Sequence, residues 1–164
     1  MGVVVIGCGN PLRGDDGAGP ELVRRLTERG LPAGVRCVDA GTGGIDAVLA
    51  MRGVAEVILV DACRSESPPG TLHEIPGEAV AGRPAAGIDI HAVRWDHALA
   101  LACDLFGAER PRKVTAWLVE AESFAPGAPL SPAVDQALDA LVERLRAEFA
   151  TQLGAAARVA AGEA

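Results

Sequence analysis

Aromatic side chains make up only 3% of the 164 residues, and tyrosine is absent. Hydrophobic residues nonetheless reach 49%, so the interior has to be built of closely packed Val, Leu and Ala, and the composition is not that of a disordered chain. Positive charge is scarce too. The formal net charge of −7 is the opposite of the basic footprint that nucleic acid or an anionic membrane surface demands. No unbroken apolar run has the length of a membrane helix. The four cysteines, Cys8, Cys37, Cys63 and Cys103, lie far apart with no C-x-x-C pair, which suggests neither a structural zinc site nor a disulfide framework. With no signal-like segment at Met1, the expected location is the cytoplasm. No internal repeat is visible.

What is present is an alternation of strand and helix patterns. β-Branched runs at 2–6, 35–38, 57–60 and 114–119 fit strands buried on both faces. Between the first two, Leu22, Val23 and Leu26 recur at helical spacing over 21–29, with Pro20 suited to the first turn. A short helix at 45–51 separates the second and third. This βαβαβ order predicts an α/β fold with parallel strands and right-handed crossovers. Residues 71–75 differ, because the link through Ser67-Pro68-Pro69-Gly70 is short and has no helical pattern; one antiparallel strand is expected there. A helix is expected at 95–106, and Ser131-Pro132 opens a last one by its cap and first-turn proline. Val134, Leu138, Leu141, Leu145 and Phe149 form its core stripe. The length fits one domain, 1–153, followed by a flexible Ala-rich tail at 154–164.

In open α/β sheets the ligand crevice lies at the carboxyl ends of the parallel strands. The first strand runs into GCGNPLRGDDGAG, residues 7–19, with Asp15 and Asp16; the second ends at Asp39, the third at Asp61, the fourth at Glu120. Each acid singly is an ordinary turn or cap residue. Gathered on one edge they repel one another unless a cation, a proton or a basic side chain neutralises them, and a metal ion or metal-bearing ligand is the economical candidate. Of His73, His91 and His97, only His91 lies in a loop-like stretch with free approach to that edge. An imidazole joining carboxylates makes a mixed N/O set suited to a borderline metal such as Zn or Ni.

Phosphate chemistry fails on the same loop. The third glycine of G-x-G-x-x-G is missing, since Leu12 precedes Arg13 and Gly14, and where a P-loop has Lys-Ser/Thr this chain has Asp15-Asp16. The hydrolase signatures G-x-S-x-G, H-E-x-x-H and S-x-x-K are absent. Cys63 as a nucleophile with His91 as its base is a weaker reading than a buried small thiol.

The pattern G-x-G-N-x-x-x-x-D-D-G-x-G, then D-A-G-T-G-G-I-D at 39–46 and L-V-D-A at 59–62, resembles the [NiFe]-hydrogenase maturation endopeptidases. So do His91 eight residues before L-A-L-A at 99–102 and the late V-E-A-E-S-F-A-P-G-A-P-L-S-P-A-V. The order and spacing of these elements, spanning the chain to about residue 145, carry the resemblance. It implies a three-layer α/β/α sandwich around a five-stranded, mostly parallel sheet. It also implies a hydrolase, an aspartic-type endopeptidase that removes the C-terminal extension of the hydrogenase large-subunit precursor after nickel insertion. Position by position, the family's catalytic and metal-binding residues fall on Asp16, Asp61 and His91, with Asp39 in a supporting role.

The resemblance implies that nickel arrives with the substrate and that no nucleotide or organic cofactor is needed. Nickel then either polarises the scissile carbonyl and activates water, with one carboxylate as general base, or serves recognition alone. A non-catalytic nickel-binding assembly factor would carry the same ligands. A nucleotide-binding oxidoreductase would need the glycine or lysine that is missing.

Overall fold

The computed structural model describes residues 2–77 and 95–160. Its elements are β1 (Val3–Cys8), a 3-10 turn (Gly14–Gly17), α1 (Ala18–Glu28), β2 (Val35–Gly41), α2 (Gly44–Ala50), β3 (Glu56–Cys63), β4 (Leu72–Pro76), α3 (Trp95–Phe106), β5 (Lys113–Glu120) and α4 (Pro132–Ala160). They form a five-stranded sheet of order β2-β1-β3-β5-β4. The pairs β1–β2, β1–β3 and β3–β5 are parallel, and β4 runs antiparallel to β5. The helical crossovers thus produce the parallel strands, and the short proline-bearing link produces the reversal.

Strand alternation sorts the core into two layers. Val5, Ile58, Val60, Trp117 and Val119 face α1 and α4, meeting Leu22, Leu26, Leu138, Leu141 and Leu145. Val4, Ile6, Val57, Leu59 and Ala116 face α2 and α3, meeting Val48, Leu99 and Ala102. Trp117 is the one Phe, Trp or Tyr of the described strands; apart from it, Phe149 of α4 and Phe106 of α3, the layers are filled mainly by the aliphatic side chains that the composition demands.

Two elements depart from the sequence reading. The run 35–38 was expected to be buried on both faces, yet β2 is an edge strand with Arg36 and Asp39 exposed. Arg36 turns its guanidinium back to the carbonyl of Ala50, so a polar residue serves on an edge where a central strand would need an apolar one. Secondly, no helix was expected beyond residue 153, and the backbone of α4 continues to Ala160. That stretch has no apolar stripe, but alanine is the strongest helix former and extends the helix by propensity alone.

The sheet end that matters most depends on backbone contact between β1 and the start of α1. A Cβ on Gly19 would lie 2.2 Å from the carbonyl oxygen of Cys8, 2.5 Å from its nitrogen and 2.6 Å from the carbonyl oxygen of Val60. All three obstacles are backbone of β1 and β3, which cannot rotate away. Gly19→Ala is therefore expected to destabilise the fold by about 1–3 kcal/mol through overpacking. Urea denaturation would measure it as a lower midpoint at unchanged slope.

Candidate active site

The loop after β1 is a close-packed turn, and its glycines explain its shape. Gly9 has φ 128°, and a Cβ there would lie 1.9 Å from the carbonyl oxygen of Asp16. Gly7 likewise lies against the backbone of Gly19. The loop folds back on β1 and presses the 3-10 turn against the end of β3. Asp16 is carried by that turn, which packs on β3, the strand that bears Asp61.

The adjacent aspartates have opposite fates. Asp15 is 1% exposed. Its Oδ2 accepts hydrogen bonds from the backbone N–H of Glu122 (2.8 Å) and Ser123 (3.1 Å), and its Oδ1 accepts one from Ser131 N–H (2.7 Å). Asp16 is partly exposed, and its carboxylate makes no hydrogen bond or ion pair among the described residues. One acid is consumed in holding the loop; its neighbour is not.

Asp61 opens the half-buried carboxyl-terminal part of β3, and its Oδ1 accepts the N–H of Ala62 at 2.8 Å. Asp39, exposed at the end of β2, accepts the N–H of Gly41 at 2.9 Å, which fixes a tight turn where Gly41 has φ 53°. Between these two strands the Cys8 thiol is pushed up to about 12, by burial first and then by the negative charges of Asp61 and Asp39. Both carboxylates thus bear electrostatically on Cys8 at the end of β1. A cleft of about 340 Å³ borders it, lined by Pro11, Gly14, Gly17 and Asp39 among others. A larger cavity, about 1040 Å³, lies at the amino end of β5 near Lys113 and Thr115, away from these acids.

Glu120 does not join them as an open ligand. It is 2% exposed and is claimed by its surroundings: Oε1 accepts Ser65 N–H at 2.6 Å, and Oε2 accepts Ser65 Oγ–H at 2.7 Å. His73 Nε2 lies 3.3 Å and Cys63 Sγ 3.4 Å from the same Oε2. The hydroxyl of Ser65, then its N–H, hold the Glu120 carboxyl down to about 2. The Cys63 thiol is pushed up to about 12 by burial and by Glu120. A raised thiol beside a carboxylate is the reverse of an activated nucleophile, so the structure gives no support to nucleophilic catalysis by Cys63. His91 lies outside the described residues.

The family model for hydrogenase maturation proteases matches residues 20–148. The chain belongs to the hydrogenase maturation protease family. It is 31% identical over 149 residues to the hydrogenase 2 maturation protease of Escherichia coli, covering 90% of each chain. It is 33% identical over 93 residues to a putative hydrogenase maturation protease of Methanocaldococcus jannaschii, 56% of this chain and 60% of that one, so it spans less than two thirds of the latter relative. Among solved structures it is similar to the hydrogenase maturating endopeptidase HybD from E. coli, with a TM-score of 0.75, 28% identity, and coverage of 93% of this chain and 94% of that one.

Within this maturation-protease fold, two distant motifs that carry the resemblance make one structural unit. Gly127 N–H donates to the carbonyl of Leu12 (2.8 Å), Gly14 N–H to that of Ala128 (3.2 Å), and Asp15 N–H to that of Ser123 (3.0 Å). With the three bonds to the Asp15 carboxylate, the late A-E-S-F-A-P-G-A-P-L-S stretch is zipped onto the opening loop. Asp15 also grips the cap of α4, because Ser131, whose N–H it accepts, offers its own Oγ to Val134 N–H at 3.4 Å. Sequence reasoning missed Ser65 and set His73 aside as a strand residue. Only the register pairing Cys63 with Glu120 and His73 with Leu118 brings those side chains together.

Proposed function

We propose that the protein is an endopeptidase that removes the C-terminal extension of a nickel-loaded [NiFe]-hydrogenase large-subunit precursor in the cytoplasm. Asp16, Asp61 and His91 contact the nickel carried by that substrate. The observation that carries this reading is the division of labour at the sheet edge. Asp15 is saturated by three backbone N–H groups, whereas Asp16 is partly exposed and unclaimed beside the strand that bears Asp61. Two carboxylates and an imidazole form an N/O set that suits a borderline divalent metal. A precursor lacking nickel offers the unclaimed Asp16 carboxylate no cation, so recognition of the metal and selection of finished substrate are one event. Cleavage then requires a water activated by a carboxylate or by the bound metal.

The test is incubation of purified protein with nickel-loaded and nickel-free precursor, followed by intact mass. The expected result is a shortened product from the loaded form alone. Binding of the loaded precursor without any mass loss would leave a nickel-binding assembly factor and remove the protease. His91→Ala is expected to abolish the shortening. Full activity in that variant, with loss in His97→Ala, would overturn the histidine assignment.

A further inference from the structure

Three neighbouring strands deliver three different donor types to one point on the face of the sheet covered by α2 and α3. Cys63 follows Leu59 and Asp61 on that face of β3, Glu120 follows Ala116 and Leu118 on β5, and His73 precedes Ile75 on β4. Glu120 sits on the middle strand, so Cys63 and His73 approach its Oε2 from the two sides. One donor atom from each lies within 4.8 Å of the others. We propose that Cys63, His73 and Glu120 form a binding site for a borderline divalent cation of the Zn²⁺ class, with a ligand set distinct from the acids assigned to substrate nickel.

The distances fit coordination as well as they fit the hydrogen bonds made in the metal-free cluster. A tetrahedral Zn²⁺ with bonds of about 2.0–2.1 Å to N or O and about 2.3 Å to S sets ligand-to-ligand edges of about 3.3–3.6 Å. The Nε2···Oε2 and Sγ···Oε2 separations are 3.3 and 3.4 Å. The first exceeds the usual N–H···O range of about 2.7–3.2 Å. The surrounding contacts are those a ligating carboxylate needs: Ser65 N–H and Oγ–H donate to Oε1 and Oε2 and fix its orientation. His73 is 31% exposed and Glu120 2%, so solvent reaches the cluster from the His73 side. Thiolate and imidazole select Zn²⁺-class ions over Mg²⁺ or Ca²⁺. On binding, the Cys63 thiol proton passes to solvent and the sulfur pair goes to the metal. The bound ion ties edge strand β4 and the end of β5 to the end of β3, two residues beyond Asp61.

The test is titration of the metal-free full-length protein with Co²⁺ alone, reading thiolate-to-Co²⁺ charge transfer and the d–d bands of tetrahedral Co²⁺, followed by displacement with Zn²⁺. One equivalent of thiolate-bound Co²⁺ is expected. The charge-transfer band should vanish in Cys63→Ser and persist in Cys8→Ser and Asp16→Ala. His73→Asn should weaken binding at least tenfold. Zn²⁺ should raise Tm in the wild type but not in Cys63→Ser, whose near-isosteric side chain preserves the fold. Absence of the band, its survival in Cys63→Ser, its loss in Cys8→Ser, or unchanged affinity in His73→Asn would each overturn the site and leave a hydrogen-bonded cluster. None of these readouts depends on precursor cleavage, so failure here does not touch the proposed peptidase activity.

Discussion

Asp16→Ala is expected to slow shortening of the nickel-loaded precursor by more than about 100-fold, since even the outer partners of metal ligands are worth 10–100-fold, while leaving Tm nearly unchanged. The asymmetry follows from the contacts. Asp16 makes no side-chain hydrogen bond or ion pair among the described residues, and its turn is held by Asp15 and by the backbone packing at Gly9. Its removal thus deletes no intramolecular support, and such surface substitutions stay within about 0.5 kcal/mol, roughly 1–2 °C for a domain of this size. Asp61→Asn should share the loss of activity, because a carboxamide is a poor substitute for an anionic ligand of a divalent metal. If both residues bind the same ion, the double variant will be little worse than either single one, as for any groups acting as a unit. Single-turnover cleavage followed by mass spectrometry measures the rates, and thermal unfolding checks the fold. An Asp16→Ala protein that cleaves at the wild-type rate would remove Asp16 from the site.

How far the sequence could reach is clearest at the paired aspartates. The strand order was accessible because β-branched runs and helical spacings declare parallel units, and the proline-rich link at 68–69 was too short for a crossover. The carboxyl edge followed from topology alone, and Asp16, Asp39 and Asp61 are found there. Hidden from the sequence was which acids the fold itself consumes. Asp15 and Asp16 are adjacent, but in a 3-10 turn of about three residues per turn neighbouring side chains point roughly a third of a circle apart, one inward to the 122–131 loop and one outward. Glu120 looked like the fourth edge acid because it ends a strand as Asp61 does. Its pairing with Cys63 across the β3–β5 register, and the reach of Ser65 and His73 toward it, depend on strand register, which local pattern does not encode.

Asp15→Ala should show the opposite profile to Asp16→Ala: a loss of stability of about 3–5 kcal/mol, the lower part of the range set by about 1–3 kcal/mol for each of three buried donors left unsatisfied, since losses above about 5 kcal/mol are exceptional for one substitution. Three backbone N–H groups, of Glu122, Ser123 and Ser131, point at this one carboxylate, and no other described side chain replaces it. For a domain of this size that is a drop in Tm of roughly 6–20 °C. Asp15→Asn is the diagnostic partner, since it keeps the volume but offers one amide oxygen where there were two carboxylate oxygens. Its NH₂ would face an N–H donor, either Ser131 or the Glu122–Ser123 pair, so an intermediate loss is expected. The damage should be local first: hydrogen exchange at 122–131 and at the first turn of α4 should rise before exchange in β1, β3 and β5. Because the same bonds zip the late loop to the turn that carries Asp16, cleavage should fall in Asp15→Ala even at temperatures where the protein stays folded. A partial recovery of activity on cooling would follow in that variant alone, because the Asp16 carboxylate is still present and only its support is loosened. Asp16→Ala, lacking the carboxylate, has nothing to recover, and the temperature dependence of cleavage separates the acid that holds the loop from the acid that the loop presents.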